Sequence, residues 1–163
     1  MSNTKHLAAE LKQEAVNTKR MLERIPEDKL SWKPHEKSTA LGRLAYHIAE
    51  LPNWIIRAIE ADGFDLAESG KPVVPETVKQ IMEEYEELWP KAVALLETTS
   101  DEFLDTPWKL KRGGQIMWEA PRRVMIRNFG LNHIIHHRAQ LGVYFRLLDV
   151  PLPPTYGPTA DER

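Results

Sequence analysis

The chain has no cysteine. That absence excludes disulfides, zinc–thiolate sites and any nucleophilic thiol supplied by the protein itself, so sulfur chemistry here must use a thiol brought from outside. It also lacks an excess of either charge: 22 Lys and Arg stand against 24 Asp and Glu, for a formal net charge of −2. Phosphate backbones are recognised by basic surfaces, so nucleic acid is disfavoured as a partner. No apolar run is long enough to span a bilayer, and the opening from Met1 to His6 has no apolar signal region. No membrane association and a cytoplasmic location are therefore expected.

What is present is the composition of one folded domain. The chain has 163 residues, 42% hydrophobic and 28% charged, enough for a single core and too few for two stable ones. One domain over 1–163 is expected.

Apolar residues recur at helical spacing in four segments. The first runs from Thr4 to Ile25 with Leu7, Leu11, Ala15, Thr18 and Leu22, and Pro26 closes it. A connector follows in which Leu30 and Trp32 tuck against the helices and His35 is exposed. The second segment opens at Ser38 as N-cap, carries Leu41, Leu44, Ile48, Leu51, Ile55 and Ile59, kinks at Pro52 and ends at Gly63. Residues 63–76 read as a loop. Thr77 with Gln80 forms a capping box for the third helix, whose interior Pro90 should bend it and whose acidic cluster around Glu83 to Glu87 is a solvated face. Between Ser100 and Ala120 helical periodicity is lost. A short turn at Asp101 to Leu104 precedes a small hairpin, Trp108 to Lys111 and Gln115 to Trp118, around Gly113 and Gly114, with its two tryptophans covering one mouth of the bundle. The fourth helix starts with Pro121 in its first turn and runs to Leu148 before Pro151. The fold class predicted is all-α.

The fourth helix carries the chemistry. It holds three of the six histidines, within Asn132 to Leu141. His133 and His137, four residues apart, lie about 40° apart around a helix axis and one turn apart along it, so both imidazoles can meet at one point. Two converging neutral imidazoles suit a divalent transition metal, and a third ligand from elsewhere leaves positions open for chemistry. His47, at the margin of the second helix's apolar stripe beside Leu51 and Trp54, is the candidate third ligand. Each residue has a plainer reading: histidines at such positions also serve as core or boundary residues, and His136 competes for the same face. Gln140 shares the face of the pair and is the better candidate for contacting a ligand or substrate, with Tyr144 second. Glu50 follows His47 by three residues, but a wheel turns it toward the polar side. A second apolar set on the fourth helix, Val124, Leu131 and Ile135, points to burial on two sides, and so to a central position or a subunit interface, for which a homodimer is the economical arrangement.

These residues also carry a resemblance. Trp32-Lys33-Pro34, the run from Leu41 to Glu50, the run from Asn132 to Leu141, and Tyr156 to Glu162 make the chain similar to the DinB/YfiT-like superfamily of metal-dependent enzymes over nearly its whole length. The resemblance implies an antiparallel four-helix bundle with up-down-down-up order and long connectors, often dimeric. It implies a metal on His47, His133 and His137; Ala139 stands where many relatives have glycine. It further implies thiol-dependent transferase or isomerase chemistry using bacillithiol, mycothiol or glutathione. The expected function is a metal-dependent enzyme, with Zn²⁺ or Ni²⁺ and a low-molecular-weight thiol as cofactors and a small electrophile as substrate. A metal-dependent hydrolase and a non-catalytic metal- or ligand-binding bundle stand as alternatives.

Overall fold

The structure is a computed structural model and describes residues 3–162. Helix α1 (Asn3–Leu22) buries Leu7, Ala8, Leu11, Met21 and Leu22. The Asp101 carboxylate caps its start from across the fold, accepting from the backbone N–H groups of Asn3 and Thr4 at 2.9 Å each. Asp101 itself opens α5 (Asp101–Leu104), for which Ser100 is the N-cap.

The second periodic segment is two helices, α2 (Leu41–Glu50) and α3 (Asn53–Glu60). Pro52 lacks a backbone N–H, and the break falls there rather than forming a bend within one helix. The start is Ala40 rather than Ser38, because the connector's carbonyls take the place of a side-chain cap: the N–H groups of Leu41 and Gly42 donate to Trp32 O at 2.9 Å and Leu30 O at 2.8 Å. Helix α4 (Val78–Thr98) begins at Thr77 as expected, with Thr77 Oγ1 accepting from Gln80 N–H at 3.3 Å. The return bond of the box is displaced by one residue, Gln80 Oε1 accepting from Glu76 N–H at 2.7 Å. Helix α4 packs on α1 and α2.

The all-α antiparallel four-helix-bundle expectation is corrected by a three-stranded mixed sheet. Strand β1 (Gly63–Asp65) runs parallel to β2 (Pro107–Arg112), pairing Gly63 with Lys109 and Asp65 with Lys111, and β2 is antiparallel to β3 (Gln115–Pro121). The β2–β3 hairpin is the one the sequence predicts. Gly113 and Gly114, at φ 57° and 81°, supply the left-handed backbone its turn needs. What the sequence reading took for loop is drawn into the sheet by two contacts. Asp65 accepts from Gly113 and Gly114 N–H at 2.8 and 2.6 Å. Gly63 lies so close to β2 that a Cβ there would meet Lys109 O at 2.5 Å, so only glycine allows this pairing. Trp108 is fully buried, its indole N–H donating to Arg57 O at 3.2 Å, while Trp118 is half-buried against Phe129.

The last helical stretch is continuous but not uniform. Pro121 is the extended residue just before it, and α6 (Arg122–Met125) passes into a π-helical segment over Ile126–Asn132, then into α7 (His133–Leu147). Gly130 lets that wider segment approach α3, where a Cβ would stand 2.7 Å from Ile55 Cγ1. Helix α7 packs on α2 and α1. Its buried face is Ile134, Arg138, Leu141 and Phe145, and Leu131 before it is fully buried in the same core.

Arg138 pairs with Glu14 of α1 at 2.5 Å, their side chains only 4% and 5% exposed. Its guanidinium also donates to Thr18 Oγ1 at 3.2 Å and to the Tyr156 hydroxyl at 2.7 Å, and that hydroxyl donates to the Glu14 carboxylate. The tail is thereby folded back onto α1 and α7. Among the described residues no helix is long and apolar enough to cross a membrane.

Candidate metal centre

His47 comes from the last turn of α2, His133 from the first residue of α7, and His137 from one turn further on. The packing of α7 on α2 brings the three together, with ring centroids 5.2 Å (His47–His133), 4.8 Å (His47–His137) and 4.6 Å (His133–His137) apart. One nitrogen from each lies within 4.8 Å of the others. The Nε2 atoms of His133 and His137 face each other at 2.8 Å.

The outer hydrogen bonds decide which nitrogen each ring turns inward. His47 Nδ1 contacts Glu50 Oε1 at 2.7 Å, and His137 Nδ1 contacts Gln140 Oε1 at 2.7 Å. A carboxylate or amide oxygen only accepts, so both rings carry their proton on Nδ1 and direct the Nε2 lone pair toward the cluster. Arg43 Nη2 donates to the same Glu50 oxygen at 2.7 Å and keeps that carboxylate ionised, its pKa lowered by His47 and Arg43 against the opposing effect of burial. His133 Nδ1 is buried without a well-formed hydrogen bond, the Phe129 carbonyl being the group that still favours its proton.

Burial, then the neighbouring His137 and His47, push the His133 pKa from 6.5 down to about 4. Burial likewise lowers that of His137, partly offset by Gln140. These rings are held neutral near pH 7, the form that donates to a metal. Two inward lone pairs at hydrogen-bond distance repel unless a proton or cation lies between them. The donor set therefore fits a divalent transition ion: three imidazole nitrogens, two of the rings oriented from behind by oxygen acceptors.

The sequence profile of the DinB family matches residues 1–163. The chain belongs to the DinB family. Its fold is similar to that of a DinB-like protein from Bacillus cereus, at 24% identity and a TM-score of 0.69, covering 89% of this chain and 92% of that one. A DinB-like protein from Bacillus subtilis is similar at 22% identity and a TM-score of 0.67, covering 97% and 99%. Likeness at this identity speaks for the DinB fold alone. None of the curated proteins matches the chain.

Beside His47 and His137 this DinB-family chain forms an open cleft of about 730 Å³, with Arg43, Gln140 and Tyr144 also in its wall. Gln140 thus lies where the sequence reading placed it, beside His137. Tyr144 also lines the cleft, but its hydroxyl donates to Thr39 O at 3.0 Å and its ring packs edge-on against Trp32, so only its oxygen lone pairs are free. His136 is exposed and stands outside the cluster, its ring against that of His137. His35 is exposed and accepts from Lys37 N–H, and His6 is exposed on α1.

Arg43 has no role in the sequence expectation, and Glu50, which that expectation turns toward the polar side, in fact reaches His47. The i, i+3 spacing of His47 and Glu50 was the available signal, since residues three apart on a helix are neighbours whatever the polarity of the face.

Proposed function

We propose that this chain is a metal-dependent enzyme in which His47, His133 and His137 hold one divalent ion, zinc or nickel, and which transfers or isomerises small electrophiles with a low-molecular-weight thiol. One observation carries the reading: three imidazoles from two helices converge, each bringing one nitrogen to within 4.8 Å of the others. A bound ion of this kind supplies Lewis acidity, lowering the pKa of a thiol or water so that a nucleophile is available near pH 7.

The chain's own residues supply position and charge. Glu50 fixes the His47 ring and, together with Arg43, keeps a compensated negative charge behind it. Gln140 holds the His137 proton on Nδ1, away from the cluster. The cleft is wide enough for two small reactants, and Tyr144 offers an acceptor oxygen across it. With no cysteine in the chain, the sulfur must belong to a cosubstrate, and glutathione, bacillithiol and mycothiol are the thiols to try. We propose in addition that two copies pair, supported by the exposed apolar Val143 and Leu147 one turn apart on α7.

The test begins with metal analysis of purified protein, followed by cobalt substitution. Sulfur ligation adds an intense charge-transfer band that nitrogen and oxygen ligands do not. Such a band with one of the three thiols, and turnover of a model electrophile that needs both metal and thiol, is the expected result. No band with any thiol, together with thiol-independent ester or amide hydrolysis, replaces the transferase by a hydrolase. Sizing by sedimentation tests the dimer.

A further inference from the structure

We propose that the centre includes a carboxylate-binding chamber in which the Arg57 guanidinium, with Lys71 at the rim, holds an anionic group of a reactant while Trp54 and Phe64 hold an apolar part beside His47. The purpose of the chamber rests on the enzyme reading above. Its location rests on geometry. Two recesses meet at His47, separated by Arg43 and Pro72: the wide cleft already described and a smaller one of about 290 Å³ lined by Glu50, Asn53, Trp54, Arg57, Phe64 and Lys71.

The charges of the smaller recess do not balance. Its one carboxylate, Glu50, is engaged by Arg43 and by His47. Among the described residues neither Arg57 nor Lys71 forms an ion pair, and Arg43 Nη1 is buried with no hydrogen-bond partner. This cationic lining belongs to a chain whose net charge is −2, so it is a local arrangement rather than a share of a general excess.

Arg57 is half-buried and stacked: its guanidinium carbon lies 3.9 Å from the Phe64 ring centroid and 6.0 Å from that of Trp54. Stacking fixes the plane of the fork and leaves its N–H edges free, the geometry that recognises a carboxylate through two parallel hydrogen bonds. Burial lowers the Arg57 pKa, with the charge of Glu50 partly offsetting it. A charge held out of water without its counter-ion is costly, and an anionic reactant would relieve that cost on binding. Trp54 also stacks on Phe129 at 5.2 Å, so the apolar wall is itself held in place.

Benzoate is the probe, with benzamide as its neutral counterpart, in NMR titrations of the full chain as purified and again after chelation. Benzoate is expected to bind at least tenfold more tightly than benzamide in both preparations. Arg57→Gln should weaken it at least tenfold, Lys71→Gln by a smaller factor, and Arg57→Lys should recover part of the loss. Lys71 sits on an exposed loop, so its variant keeps the test open if Arg57→Gln folds poorly. Equal binding of benzoate and benzamide, or benzoate binding indifferent to both substitutions, overturns the chamber. Binding that disappears on chelation and ignores Arg57 means that benzoate is a metal ligand, which also overturns it. Binding that survives chelation and depends on Arg57 upholds the chamber even where no metal-dependent activity is found, which separates its failure from that of the enzyme reading. Competition then assigns the carboxylate: displacement by glutathione but not by cysteamine places it on the thiol, and displacement by neither places it on the electrophile.

Discussion

Replacing Arg138 by Met should be among the most damaging single changes in the chain that leave the histidines intact. The arginine is 4% exposed and Glu14 is 5% exposed, so the substitution leaves a carboxylate out of water with only the Tyr156 hydroxyl to answer it. Removing one partner of a buried pair costs about 3–5 kcal/mol, well above the roughly 0–1 kcal/mol of an exposed pair such as Lys12–Glu97. For a domain of this size each kcal/mol moves the melting temperature by about 2–4 °C, so a drop of roughly 6–20 °C is expected. The assay is denaturant unfolding followed by circular dichroism, with chelator present so that metal linkage does not enter. Removing the charge as well, in Glu14→Leu/Arg138→Met, should restore most of the loss, because apolar residues of similar volume often replace a buried pair at little cost. Tyr156→Phe, which removes a hydroxyl bonded to both members of the pair but leaves the pair itself, should cost less, about 1.5–3 kcal/mol. A loss below about 1 kcal/mol for Arg138→Met, or a double variant no better than the single one, would refute the view that this pair is a buried, mutually dependent unit.

Purified protein should carry about one divalent ion per chain, and His47→Ala, His133→Ala or His137→Ala should each abolish tight binding, while His35→Ala should not; full occupancy by metal analysis in His133→Ala would remove the assignment. Glu50→Gln should lower metal affinity by about 10–100-fold without unfolding the chain, since a neutral amide orients the His47 ring less firmly, and a competition titration with a chromogenic chelator reads this directly. In the metal-free protein His133 is neutral when folded, with a pKa of about 4, but takes up a proton near 6.5 when unfolded, so the unfolded state binds more protons between these values. Stability should therefore fall as pH drops through that window, and His133→Asn should flatten the fall; a melting temperature with no such dependence in wild type would argue against a buried neutral ring. Gly130→Ala should cost about 1–3 kcal/mol in denaturant unfolding because the added Cβ meets the buried, branched Ile55 side chain.

The histidine cluster was legible because its signal is local: the i, i+4 pair lies in one helix, and His47 lies on an apolar margin that has to face a neighbour. Much of the helical pattern was legible for the same reason, with Thr77 and the Gly113–Gly114 turn marked by short-range chemistry, whereas the start at Ala40 and the break at Pro52 were not. The sheet was not. Three residues, Gly63 to Asp65, are too few to display alternation, and they become a strand only because Asp65 reaches the hairpin turn 48 residues away in sequence. The faces of the last helix were also misjudged. A wheel drawn at 3.6 residues per turn grouped Leu131 and Ile135 as a second face, whereas the π-helical segment changes the phase and the chain's own core buries Leu131, Ile134, Leu141 and Phe145. Glu50 was misplaced by attending to the polarity of its face rather than to its distance from His47.

The wide turn at Ile126–Asn132 makes the centre depend on how many residues precede it, and not only on which residues compose it. An α-helix advances about 100° per residue. The wide turn already takes up about one residue more than an α-helical turn, so one further inserted residue that it did not absorb would swing the downstream helix by about that angle relative to α6, carrying His133 and His137 away from His47. Such a chain would retain all six histidines and its apolar composition, yet present its imidazoles in different directions. A one-residue insertion in the exposed stretch 69–74 has no comparable lever, since nothing rigid transmits it to the ligands. This helix has to preserve its spacing as well as its ligands.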